Sequence, residues 1–240
     1  MFYEQQAQKE LKAWQKKMSS KPSITDRLSK GMQNRINRII PEKIHKAITV
    51  TIKQMVQGVL FGAKYMVANP DNYNTLEEKE SVVQKRIDFY KKAAAAEGGI
   101  TGAGGILLGL ADFPILLSMK FKLLFDIASY YGFDVKDYKE RLYILQIFQL
   151  AFSSQQHRRI VYQQIVDWDE KQKLLPAESK DFDWRSFQQE YRDHIDLAKM
   201  AQLVPGIGAV VGFVVNYRFL KKLGVTAMNA YRMRLFVVGK

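Results

Sequence analysis

Residues 98–132 read GGITGAGGILLGLADFPILLSMKFKLLFDIASYYG, apolar for most of its length and broken by glycine rather than by charge. No period of two runs through it, whereas the apolar positions from Asp112 to Tyr131 recur at helical spacing around Lys120, Lys122 and Asp126. Gly132 then suits the residue after a helix C-terminus, where a left-handed backbone is wanted. Glycines stand four apart at Gly58 and Gly62, Gly98 and Gly102, Gly105 and Gly109, and Gly208 and Gly212. Each costs a helix about 1 kcal/mol relative to alanine. Close approach of helix backbones offsets that cost, so these eight positions are expected to mark helix crossings.

A membrane span is a weaker reading of the same stretch. Gly98 to Ser118 carries one charge, Asp112, but glycines and Pro114 split it, and the second apolar tract, Leu203 to Tyr217, has only 15 residues. A spanning helix wants about 20 continuous apolar residues. A buried core built on helical hairpins is the expectation, with a partly inserted hairpin left open.

The rest of the chain is helical by the same criteria. Upstream, Ile44, Ile48, Ile52, Met55, Val59 and Ala63 give a helix from Pro41 to Ala68, preceded by one opening at Pro22 and Ser23. Asn69 to Asn72 end it. Thr75 and Glu78 form a capping box for a helix that runs to Glu97. Downstream, helices are expected over Val135 to Ser153, Arg158 to Leu175, Trp184 to Leu203 and Ile207 to Leu223, with a short strand at Leu235 to Val238. Gly102, Gly104, Asp112 and Phe113 repeat 104 positions later as Gly206, Gly208, Asn216 and Tyr217. The match suggests two related hairpins, with Asp112 beside Asn216.

Charge is distributed unevenly. The formal charge is +13, yet residues 1–53 carry a net +8, residues 195–240 a net +6 and the middle a net −1. Basic ends around a neutral body suit an anionic partner, either lipid or nucleic acid. At the first end, Tyr3, Ala7, Leu11, Trp14 and Met18 share one helical stripe, with Lys9, Lys12 and Lys16 opposite. Two readings stay open for this helix: it docks its apolar stripe on the protein's own core, or it lies in a membrane interface with Trp14 at the acyl boundary. The chain has no cysteine, which excludes disulfides and thiolate chemistry and fits a reducing compartment. The lysine-rich start lacks the apolar run of a signal peptide.

Gly102 to Pro114 (GAGGILLGLADFP), the YYGFD ending at Asp134 and Val204 to Arg218 (VPGIGAVVGFVVNYR) resemble the EcsC family, over residues 35 to 235. The resemblance carries no biochemical activity. It implies a bacterial protein whose family is named for a gene beside those of an ABC transporter. By position, Asp112, Pro114, Asn216, Tyr217 and Arg218 match the family pattern, with no role attached.

Catalytic material is thin. No metalloprotease His-Glu-x-x-His, hydrolase Gly-x-Ser-x-Gly or phosphate-loop lysine is found, and Leu107 stands where a dinucleotide fingerprint needs glycine. Glu190 and His194 have the spacing to share a metal on one helix face, but a surface hydrogen bond is the plainer account. Asp112 and Asn216 interrupt apolar helices and so need partners. They either fix the register of the hairpins or floor a ligand pocket with Tyr217 and a cation from Arg192, Lys199 or Arg218. The expected protein is all-α: an amphipathic arm over 1–34 and a single helical domain over 35–240, containing two related glycine-rich hairpins. It is a non-enzymatic protein that binds an anionic membrane surface, a lipid or an apolar ligand on the inner face of the cell membrane, needs no cofactor or metal, and assists ABC transporter components. Nucleic-acid binding or a membrane-associated hydrolase is the alternative.

Overall fold

The computed structural model describes residues 2–20, 42–61, 73–102, 105–154, 157–183, 185–187, 189, 195 and 209–238, with backbone alone at 42–45, 60–61, 95–102, 105–112, 209–215 and 237–238. Its elements are α1 (Phe2–Ser19), α2 (Glu42–Phe61), α3 (Leu76–Gly102), α4 (Gly105–Tyr130), α5 (Tyr138–Phe152), α6 (Arg158–Val166), α7 (Trp168–Leu174), a 3-10 turn (Ser179–Asp181) and α8 (Ala209–Val238). The fold is all-α. Among the described residues the only β-type pairing is an isolated bridge between Ser153 and Ile195.

Local signals place several boundaries where expected. The amide of Glu78 donates to Thr75 Oγ1 at 3.2 Å while the amide of Thr75 donates to Glu78 Oε2 at 3.1 Å, so the capping box closes in both directions. Gly132 adopts φ 93° after α4. Its amide reaches Ser129 O and that of Phe133 reaches Ala128 O, the paired bonds of a Schellman ending. A cap the sequence reading did not name opens α5, where Asp137 accepts from the amide of Lys139 at 2.9 Å.

The last helix, α8, lies along α3 and also touches α4 and α5, while α2 covers α4 and α5. One connected core results. Phe121 stacks on Phe148 with ring centroids 4.6 Å apart, and Phe148, Phe152 and Phe219 continue the row. Ala7, Leu11, Trp14 and Met18 of α1 are buried against it, Trp14 edge-on to Tyr162 at 5.6 Å. Of the two readings of α1, docking on the protein's own core is the one observed. This corrects the placement of Trp14 at an acyl boundary, because an indole packed against Tyr162 is not on the surface.

Other boundaries differ. Helix α8 passes through Leu223 and ends at Val238, so the expected strand at Leu235–Val238 is helix; four apolar residues do not by themselves separate the two states. The helix expected from Arg158 to Leu175 is two, because Asp167 takes φ −87°, ψ 12°. The helix expected from Val135 starts at Tyr138, after the cap. The expected helices at 22–40 and 184–203 lie outside the described residues or nearly so, as does the arm boundary at residue 34.

Among the described residues the glycine that makes a close crossing is Gly224, which was not among the eight expected. A Cβ there would lie 2.5 Å from Ile87 Cδ1 and 2.6 Å from Cγ1. That approach explains why α8 tolerates glycine in mid-helix. At Gly58 an added Cβ meets nothing within 4 Å among the described residues. Gly98, Gly102, Gly105, Gly109 and Gly212 lie on helices whose side-chain surroundings there are not described, and Gly62 and Gly208 fall outside the described residues.

These contacts set three expected stabilities in urea denaturation. Trp14→Ala should lose about 3 to 5 kcal/mol by emptying its site. Gly224→Ala should lose about 1 to 3 kcal/mol through overpacking against Ile87. Gly58→Ala should be neutral or gain up to about 1 kcal/mol. A Gly224→Ala protein as stable as its parent would refute the close crossing.

Candidate functional site

The helices meet around a carboxylate. Glu80 of α3 follows Leu76 by one turn and precedes Val83 and Ile87, so helical spacing carries it into the core, where it is fully buried. Arg232 of α8 grips it with two bonds of 2.6 Å, from Nε to Oε1 and from Nη2 to Oε2. Tyr131 donates to Oε1 and Tyr3 of α1 to Oε2, each at 2.7 Å. The remaining arm of Arg232, Nη1, reaches Glu10 of α1 at 3.0 Å. Thus α1, α3, α8 and the end of α4 share one ion-pair network.

Its electrostatics follow from burial and neighbours. The Tyr3 hydroxyl is pushed up to about 12, first by burial and then by Glu80. Tyr131 is raised well above its ordinary value for the same two reasons. Burial alone would lower the pKa of Arg232, but Glu80 outweighs it and holds the guanidinium above its usual value. Burial opposes ionisation of Glu10 as well, yet bonds from Arg232 and Gln6 keep its carboxyl below the ordinary range.

A second network lies half a turn along α8. Arg234 Nη1 donates to Glu140 Oε2 at 2.6 Å, and Tyr231 donates to Glu140 Oε1 at 2.7 Å. The guanidinium lies 3.8 Å from the centroid of Phe133 and 4.7 Å from that of Tyr143. Burial raises the pKa of Glu140, and Arg234 and Tyr231 offset this only in part. Neither carboxylate is placed as a general base: Glu80 already accepts four hydrogen bonds and has no exposed surface.

Polar groups from the motif-bearing stretches gather further along the same crossing. Asn216 is fully buried and its Oδ1 accepts from Lys120 Nζ at 3.3 Å, while Lys120 also donates to Leu116 O at 3.2 Å. Asn216 Nδ2 has no hydrogen-bond partner among the described residues. Tyr217, 38% exposed, lies under Lys91, whose Nζ is 4.7 Å from the ring centroid and 2.6 Å from Asp88. Arg218 is exposed. Asp112 lies on α4 one turn before Leu116, with its side chain not described; Arg192, Lys199, Glu190 and His194 fall outside the described residues. Lys9, Lys12 and Lys16 are exposed on α1, as expected from their face. Among the described residues, no group of three or more His, Asp or Glu side chains could hold a metal ion.

Sequence reasoning missed Glu80, Lys120, Glu140, Arg232 and Arg234. The signal was available for some of them: Glu80 interrupts the stripe Leu76, Val83, Ile87, and Lys120 interrupts Leu116, Phe121, Leu124. A charge in a helix's apolar stripe needs a buried partner.

The fold and its networks define an all-α protein held together by buried ion pairs, with no enzyme-like constellation among the described residues. The model of the EcsC protein family matches residues 5–236, and the chain belongs to that family. It is 46% identical over 223 residues to "Protein EcsC" of Bacillus subtilis (strain 168), covering 92% of each chain. It is 27% identical over 246 residues to "Uncharacterized protein YdbA" of the same organism, covering 94% of this chain and 90% of that one. No solved structure matches it.

Arg232→Leu strands Glu80 in the core and should cost about 3 to 5 kcal/mol, whereas the double change Glu80→Leu, Arg232→Leu should cost less than the sum of the single ones. Equilibrium unfolding of the four proteins of this cycle measures the coupling; purely additive losses would show that the pair does not act as a unit.

Proposed function

We propose that this EcsC-family chain is a non-enzymatic peripheral membrane protein that meets anionic lipid on the inner face of the cell membrane through the outer face of α1. One observation carries the reading. Lys9, Lys12, Lys16 and Lys17 are exposed and have no acidic partner among the described residues, while the apolar stripe behind them is occupied by the core. The contact is therefore electrostatic and does not bury α1 in lipid. No helix among the described residues is long and apolar enough to cross a membrane.

The resemblance to a family named for a gene beside an ABC transporter supports an accessory role to such a transporter. In the same reading the tracts around 98–109 and 204–212 form related hairpins. Lys120 reaches back to the carbonyl of Leu116, one turn from Asp112 on the same face. In this reading Asp112 and Asn216 belong to one polar contact, supported by their matching places in the repeat.

Each lysine near an anionic surface contributes about 1 kcal/mol. Lys9→Gln, Lys12→Gln, Lys16→Gln should therefore weaken sedimentation with phosphatidylglycerol vesicles by about 100-fold. Added salt should release the parent protein, and neutral phosphatidylcholine vesicles should retain little of it. Equal recovery in the supernatant with and without anionic vesicles, together with tight binding to DNA, would overturn this function in favour of a nucleic-acid one.

A further inference from the structure

A cleft of about 250 Å³ lies away from α1, where α5, α7 and the segment after α7 come together. Leu142, Leu175, Phe182 and Phe187 give it apolar walls, and Gln146 and Trp168 complete them. Both of these last two are buried, at 9% and 2% exposure. Gln146 Oε1 and Trp168 Nε1 have no hydrogen-bond partner among the described residues. An acceptor and a donor are thus left without partners in the wall of one cleft. Buried polar atoms in native proteins almost always have a partner, so an acceptor and a donor left over in one wall can be matched by a water or by a ligand group that fits both.

The walls are held in place from behind. The indole of Trp168 packs on Tyr143 at 5.2 Å, Phe182 on Phe187 at 5.6 Å and Tyr138 on Phe182 at 6.3 Å. Tyr138 donates to the carbonyl of Pro176, and Lys139 to that of Gln172 at 2.9 Å, which ties the segment after α7 to the start of α5. Lys171 and Asp183 also line the cleft. The Asp183 carboxyl is held below its ordinary range by the amide and hydroxyl of Ser186, so one positive and one negative charge face the opening. They favour neither an anion nor a cation.

We propose that this cleft binds a small neutral molecule with an apolar body and one hydroxyl or amide group, which donates to Gln146 Oε1 and accepts from Trp168 Nε1. Its volume exceeds that of the cavity of about 150 Å³ known to hold benzene, so a single substituted ring or a short branched chain fits. The site is independent of the lysine face of α1.

Benzyl alcohol and toluene are matched probes, because they differ by one hydroxyl. Titration calorimetry on the full chain without lipid should show saturable binding of benzyl alcohol at least ten-fold tighter than that of toluene. Gln146→Leu and Trp168→Phe should each reduce that preference at least five-fold. Ser186→Trp, at an exposed rim position, should remove binding of both probes with an unchanged circular dichroism spectrum. The triple lysine variant should bind benzyl alcohol as the parent does, even if vesicle binding fails. No saturation below about 10 mM, equal affinity for the two probes, or a full preference retained in Gln146→Leu would each overturn the proposal.

Discussion

The bidentate contact of Arg232 with Glu80 is the constraint on which the arrangement of the helices depends. Its partners stand 152 positions apart, and the network around it draws in Tyr3 and Glu10 from the first helix and Tyr131 from the end of α4. Taking a carboxylate out of water is costly, and only an opposite charge with good geometry and further donors offsets it. Here all four acceptor directions of Glu80 are filled. A packing of α3 against α8 that kept Glu80 buried without Arg232 would leave a charge alone in the core, and this ties the register of the two helices to the pair.

The same network changes the meaning of the basic C-terminal end. Of the seven Lys and Arg in residues 195–240, Arg232 and Arg234 point inward to Glu80 and Glu140. Lys222 donates to the carbonyl of Ala151 near the C-terminus of α5, where a cation is favoured. The +6 of that region is therefore not a +6 surface. The first helix keeps its lysines outward, which shifts the argument for an anionic partner from two ends to one.

What could be read in the sequence was what depends on neighbours in the chain. Thr75 and Glu78 form their box within one turn, Gly132 and Phe133 close α4 with bonds to Ser129 and Ala128, and the stripe of α1 follows from helical periodicity alone. What could not be read depends on distant residues. Gly224 is tolerated in α8 because of Ile87 on α3. Asn216 was expected beside Asp112, whose side chain is not described, and the partner observed is Lys120, 96 positions away. Trp14 suited lipid and core equally well until Tyr162 was seen to face it. The repeat of Gly102, Gly104 and Asp112 at Gly206, Gly208 and Asn216 falls partly outside the described residues, and it named no cation beside Asn216.

Where the molecule is saturated, it cannot bind. The carboxylates of Glu80 and Glu140 are buried and engaged by arginine and tyrosine, so a ligand approaching them would have to displace bonds that hold four helices together. Binding chemistry is left to groups that folding does not use. Among the described residues these include the lysines of α1, exposed and without an acidic partner, and the wall of the α5–α7 cleft, where the buried Gln146 Oε1 and Trp168 Nε1 have no partner among the described residues. An exposed lysine is content in solvent and selects an anionic surface only weakly and at a distance. A buried orphan pair discriminates by chemistry, since only a ligand with the matching donor and acceptor relieves both atoms at once.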